Sequence, residues 1–165
     1  MDIEDIKDKK PRLLDIIIGT GFGAGYWPWG PGTAGAAVAT VTWCLYAYAT
    51  DHYDQVLIAT AMLACIFTII SIKPINRLEK HWGEDPSKVV VDEMVGVWIT
   101  LLAVPETKEW YYVLAAFVLF RLLDITKPLG CRWLDKNIHG GWGVMLDDIL
   151  AGAYGAIVLY IIRLL

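Results

Sequence analysis

Gly140-Gly141-Trp142-Gly143-Val144-Met145-Leu146-Asp147-Asp148-Ile149-Leu150-Ala151-Gly152 sets two adjacent carboxylates at the mouth of an apolar run that continues to Leu165. An ionised Asp entering a hydrophobic layer costs on the order of several kcal/mol unless a cation or hydrogen bonds offset it. The arrangement recurs where Asp92-Glu93 precede Met94 to Val104, and again where Asp124 closes Trp110 to Leu123. Three apolar segments thus carry acid at one mouth. We read them as converging on one metal-dependent site.

Composition says what surrounds such a site. The 165 residues suit a single domain over 1–165. They are 56% hydrophobic and 19% charged, with 8 Trp and 8 Tyr, and mean hydropathy is +0.48. A soluble domain usually carries about 45–50% apolar and roughly 25% charged residues. The excess apolar surface needs a partner, and lipid is the expected one. A net charge of −4 argues against nucleic acid, which wants a basic face. Cys44, Cys65 and Cys131 form no close pair, so neither a disulfide framework nor a zinc site is indicated. The N-terminus, MDIEDIKDKK, lacks the apolar stretch of a signal peptide.

No alternation long enough for strands is present, so the fold class is all-α: a compact helical membrane protein of about five apolar helices, some short or re-entrant. A charged, amphipathic N-terminal segment (1–12) and a Gly/Pro-rich loop (19–33) precede them. Thr33 is placed to cap a helix over Ala34–Ala49. Spans are expected near 34–50, 55–72, 91–104, 110–124 and 146–162, with Pro74, Gly83 and Pro86 breaking a polar connection between Lys73 and Lys88. The connections 51–54 and 105–109 hold only Lys108, whereas 73–90, 125–145 and the N-terminal segment hold nearly all other Lys and Arg. The positive-inside rule puts those three in the cytoplasm. The acids and their neighbouring cations fall at that same level.

Hard oxygen ligands in this number suit Mg²⁺, which uses one or two protein carboxylates and keeps room for a phosphate. Each acidic pair also suits an ordinary helix N-terminus. Arg121 and Asp124 share a helical face, and Lys127 continues the line if the helix persists. Arg grips phosphate oxygens in two prongs and Lys acts as a point charge. An ion pair with a snorkelling Lys127 would look the same. GTGFGAG at 19–25 lacks the strand–helix context of a dinucleotide fingerprint. A loop against the site, with backbone N–H groups around Gly32 and Thr33 available to phosphate, is the better reading beside a plain interfacial turn. Other phosphatase chemistries lack their residues: Cys131 is followed directly by Arg132, no Asp-x-Asp motif follows a strand, and His52, His81 and His139 are scattered.

Four motifs in order then resemble the phosphatidylglycerophosphatase A family over nearly the whole length. They are Gly21-x-Gly23 with Pro31-Gly32-Thr33-x-Gly35; Asp92-Glu93-x-x-Gly96; Phe120-Arg121-x-x-Asp124-Ile125-x-Lys127-Pro128; and Gly140-Gly141-x-Gly143-Val144-Met145-x-Asp147-Asp148-x-x-Ala151-Gly152. Ala36 stands where the family often has Ser. The resemblance implies a bacterial cytoplasmic-membrane enzyme that takes the terminal phosphate from phosphatidylglycerophosphate with Mg²⁺. It also implies that Asp92, Glu93, Arg121, Asp124, Lys127, Asp147 and Asp148 carry the site.

Within that expectation, Asp92 and Asp147, with Glu93 or Asp148, hold the metal. Asp124 or Glu93 serves as base, and Arg121 and Lys127, with Gly32 and Thr33, hold phosphate. A transport or channel subunit and a CDP-alcohol phosphotransferase-like enzyme are the other classes. The first would put its ionisable residues near the bilayer midplane, and the second expects a longer Asp motif with no match here. A homo-oligomer is left open.

Overall fold

The computed structural model describes residues 10–128 and 130–165. The first nine residues of the expected N-terminal segment lie outside them. The described residues form helices joined by short loops, with no strand, as the sequence led us to expect. The helices are α1 (Leu13–Gly19), α2 (Pro31–Ala49), α3 (Tyr53–Trp82), α4 (Val91–Leu101), α5 (Trp110–Thr126), α6 (Cys131–Asn137) and α7 (Gly140–Leu164), with a 3₁₀ turn at Ala24–Tyr26.

The centre is α4, packed against α2, α3, α5 and α7. All its residues except Glu93 and Ile99 are buried. At 11 residues it is about 16 Å long, half the hydrocarbon thickness of roughly 30 Å. The span expected at 91–104 is therefore a core helix. Indole donors tie it in: Trp98 Nε1 donates to Ala39 O at 3.2 Å, and Trp43 Nε1 to Thr60 Oγ1 at 3.0 Å.

Among the described residues two helices, α3 and α7, are long and apolar enough to cross a membrane. The 30-residue α3 continues past Pro74, where the sequence predicts a break. Ser71, Pro74, Ile75 and Leu78 form one buried helical stripe, and its burial outweighs the single backbone bond that proline removes. Arg77, beside Leu78 in the chain, grips the buried Asp15 of α1 with Nε and Nη2, at 2.7 and 2.5 Å. Large apolar side chains such as Leu45, Ile58, Ile69, Leu114 and Ile161 stand exposed on the outer faces.

Helix α2 begins at Pro31, whose fixed φ suits the first helical position, so Thr33 is inside the first turn and not its cap. Helix α6 occupies part of the expected polar loop. Helix α7 starts at Gly140, six residues before the span expected at 146–162; Asn76 Oδ1 accepts from Gly141 N at 2.8 Å and supplies its cap.

Helices α2, α4 and α7 start at one end of the bundle, where α3 and α5 finish. At the far end two cations are spent on backbone carbonyls. Lys108 Nζ donates to Ala47 O and Thr50 O, and Arg163 Nη1 to Ala103 O.

Candidate active site

The end where three helices begin holds a cavity of about 390 Å³. What brings its acids together is a close crossing of α4 on α7. A Cβ on Gly152 would overlap the Gly96 carbonyl oxygen, and one on Gly96 would overlap the Phe120 ring and lie 2.8 Å from Asp148 O. Thr100 Oγ1 donates across the same contact to Gly152 O at 3.0 Å. Only glycine admits so close an approach. Asp92 lies four residues before Gly96, and Asp148 four before Gly152. One helical turn from the crossing, each helix therefore turns an acid toward the other.

Asp92, Glu93 and Asp148 offer carboxylate oxygens that all lie within 4.8 Å of one another. Asp92 and Asp148 are buried, at 8% and 3% exposure. The Asp92 carboxyl contacts that of Glu93, and the Asp148 carboxyl contacts that of Asp124. Arg121 Nη1 donates to Asp124 Oδ2 at 2.5 Å and lies 3.9 Å from Glu93 Oε1. Among the described residues, Asp92 Oδ1, Glu93 Oε2 and Arg121 Nε are buried without a hydrogen-bond partner.

The seven residues expected from sequence all line this cavity, but in a different grouping. Asp147, expected among the metal ligands, accepts from Lys127 Nζ at 2.7 Å, leaving Asp148 beside Asp92 and Glu93. Lys127 does not continue the Arg121–Asp124 line. Helix α5 ends at Thr126, and Lys127 takes a left-handed conformation (φ 44°) that swings it toward α7. Gly32 lines the cavity, where a Cβ would overlap Glu93 Oε1 and come within 3.2 Å of Arg121 Nη1. Thr33, one position further around α2, is exposed and outside the lining.

Residues missed by the sequence reading complete the mouth. Glu79, Glu84, Asp85 and Ser87 come from the end of α3 and the following loop, and His139 Nδ1 meets Glu84 Oε1 at 2.9 Å. Nothing in the local sequence marks them, because they join the site through the unexpected extension of α3. The glycines at 96 and 152 did carry a signal, the shared four-residue spacing after an acid.

A helix N-terminus accounts for Asp92 and Glu93 in the first turn of α4. It does not account for Asp147 and Asp148, which sit two turns inside α7. Within the cluster itself, the five carboxyl groups of Asp92, Glu93, Asp124, Asp147 and Asp148 face two cations, Arg121 and Lys127. Unpaired carboxylates at such depth need a counter-charge. The donors are all hard oxygens, and two of them are buried with no protein partner. That set fits a hard divalent cation such as Mg²⁺.

The chain matches the family profile described as Phosphatidylglycerophosphatase A over residues 17–163. It belongs to the phosphatidylglycerophosphatase A family. Curated relatives include a Bacteroides thetaiotaomicron protein, provisionally named a phosphatidylinositol-3-phosphatase, 53% identical across 94% of this chain and 97% of the relative. The Escherichia coli K12 protein named phosphatidylglycerophosphatase A is 38% identical over 88% of this chain and 81% of its own. The Haemophilus influenzae protein of the same name is 36% identical over 94% and 93%. No solved structure matches. All four motifs that carried the resemblance fall wholly inside the matched region.

Proposed function

We propose that this single-domain chain is a Mg²⁺-dependent lipid phosphatase that converts phosphatidylglycerophosphate to phosphatidylglycerol and inorganic phosphate at the cytoplasmic face of a bacterial inner membrane. The observation that carries this reading is the meeting of Asp92, Glu93 and Asp148 within 4.8 Å, in a cavity shared with Arg121 and Lys127, in a chain of this family.

Asp92, Glu93 and Asp148 would hold the ion, which supplies Lewis-acid polarisation of the phosphoryl group. Arg121, anchored through Nη1 on Asp124, keeps its buried Nε for a phosphoryl oxygen. Lys127, held by Asp147, adds a second positive charge. Asp124, or Glu93 where it is not bound to the ion, accepts the proton of the attacking water. The Gly32 backbone closes one wall, where any side chain would displace Glu93. Acyl chains remain in lipid against the apolar outer faces.

Membrane placement rests on the exposed apolar surfaces of α3 and α7. Exposed Trp27, Trp29, Trp133 and Trp142 lie toward the cavity end, and Trp110, Tyr111 and Tyr160 toward the other. Aromatic belts of this kind mark the two interfaces. Cations concentrate at the cavity end, which supports a cytoplasmic site.

The name of the Bacteroides relative favours a second substrate, a phosphoinositide 3-monoester. Phosphate release from both lipids in mixed micelles, with Mg²⁺ and with chelator, tests both readings. We expect release from phosphatidylglycerophosphate that stops in chelator and returns with Mg²⁺. Release undiminished by chelator would remove the metal, and release from the phosphoinositide alone would replace the substrate.

A further inference from the structure

Away from the cavity, a groove of about 460 Å³ runs between α1 and α3. Its wall is apolar, with Leu14, Ile69 and Ile70 exposed, and its rim carries Arg12, Lys73 and Arg77 against one acid among the described residues, Asp15. Asp15 is already held by both prongs of Arg77. Arg12 and Lys73 are exposed and have no ion-pair partner among the described residues.

The groove's depth along the bundle follows from α3. Tyr53 hydroxyl donates to Val104 O at the far end, and Lys73 is twenty residues later. At 1.5 Å per residue that is about 30 Å, one hydrocarbon thickness. Lys73 thus reaches the headgroup layer on the cavity side, where Leu13 and Leu14 of α1 project outward, each 71% exposed.

We propose that this groove binds an anionic phospholipid of the surrounding bilayer. Arg12 and Lys73 hold the headgroup, and an acyl chain lies along Ile69, Ile70 and Leu14. The inference rests on the membrane reading above and is independent of the catalytic one. Charge complementarity selects the occupant: two cations with no ion-pair partner among the described residues stand over an apolar wall at headgroup depth, so a zwitterionic lipid would leave them uncompensated. Basic residues near a bilayer surface each contribute on the order of 5-fold to anionic-lipid affinity, so two contribute on the order of 25-fold.

Native mass spectrometry of the full chain released from detergent micelles tests this with phosphatidylserine against phosphatidylcholine. Phosphatidylserine carries no phosphomonoester and is neither substrate nor product. The expected result is retained phosphatidylserine at a preference on the order of 25-fold, reduced toward parity in Arg12→Gln/Lys73→Gln and unchanged in Asp92→Asn. Both substituted positions are exposed, and charge reversal at Lys73→Glu gives a second variant with the same expected loss. Equal retention of the two lipids, wild-type retention in Arg12→Gln/Lys73→Gln, or loss in Asp92→Asn would overturn the assignment. Phosphate release from the same preparations reads the catalytic proposal separately. The double variant keeps it, and its absence from the wild type would remove the phosphatase reading while the lipid measurement still stands.

Discussion

Asp148→Asn lowers phosphate release by about 10²- to 10³-fold, the range for losing one preorganised electrostatic stabiliser of the transition state, here the ion that Asp148 helps to hold, without destabilising the fold. The two halves of that expectation have one cause. Asp148 is buried against Asp124 and within 4.8 Å of Asp92 and Glu93. With no cation present, two like charges at that separation repel by on the order of 3 kcal/mol at an effective dielectric of about 20. The acids are therefore a burden on the apo-protein and useful only with an ion between them. In chelator the variant should melt at or above the wild-type temperature, and Mg²⁺ should raise the melting temperature of the wild type alone. A variant that loses activity and also melts lower in chelator would assign Asp148 a structural role instead. Asp92→Asn is expected to behave in the same way.

Gly152→Val damages the site through its geometry. A Cβ at 152 would overlap Gly96 O and lie 3.0 and 3.1 Å from Gly96 C and Cα, all backbone atoms that no rotamer change can move. Helices α4 and α7 must part, at a cost of about 1–3 kcal/mol for overpacking. The larger effect falls one turn away, where Asp92 and Asp148 separate and no longer share an ion. We expect activity to fall by about 10²-fold or more, the cost of an ångström of misplacement. Gly155→Ala is the comparison. Its Cβ meets only Thr100 side-chain atoms, at 2.8 and 3.0 Å, and it sits one turn further from the acids. Thr100 can turn aside, so Gly155→Ala should lower stability without abolishing turnover. Equal activity losses in the two would mean that the crossing supports the bundle in general rather than the acids. Glycine inside a helix is about 1 kcal/mol worse than alanine, so its presence at 96 and 152 calls for a packing reason, and the crossing provides one.

The acids were legible in the sequence because charge inside an apolar run is costly wherever it occurs, and Asp92, Glu93, Asp147 and Asp148 all interrupt such runs. Which member of the second pair faces α4 was not legible from adjacency alone, since neighbours on a helix differ by about 100°. Gly152 decides it, because the residue one turn before the crossing must look the same way as the crossing itself. The course of α3 past Pro74 was hidden for a different reason. Its buried stripe of Ser71, Pro74, Ile75 and Leu78 is interleaved with Lys73, Asn76, Arg77 and Lys80, so the polar composition masked a helical period. The start of α7 was hidden by Gly140, Gly141 and Gly143, which read as a loop. Gly141 and Gly143 are small because the Ile72 and Ile138 backbones press against them. Window composition likewise made 91–104 look like a span, whereas the chain folds the shortest of the five expected spans into the middle.

Divalent-ion binding at the acids, measured apart from catalysis, is the most direct test. Mn²⁺ shares the octahedral oxygen preference of Mg²⁺ and has an electron paramagnetic resonance signal that broadens when bound. Titration of the full-length protein in detergent should show Mn²⁺ bound at the site, displaced by excess Mg²⁺, and lost in both Asp92→Asn and Asp148→Asn. Wild-type Mn²⁺ binding in both variants would contradict the assignment of the Asp92, Glu93 and Asp148 cluster as the metal site.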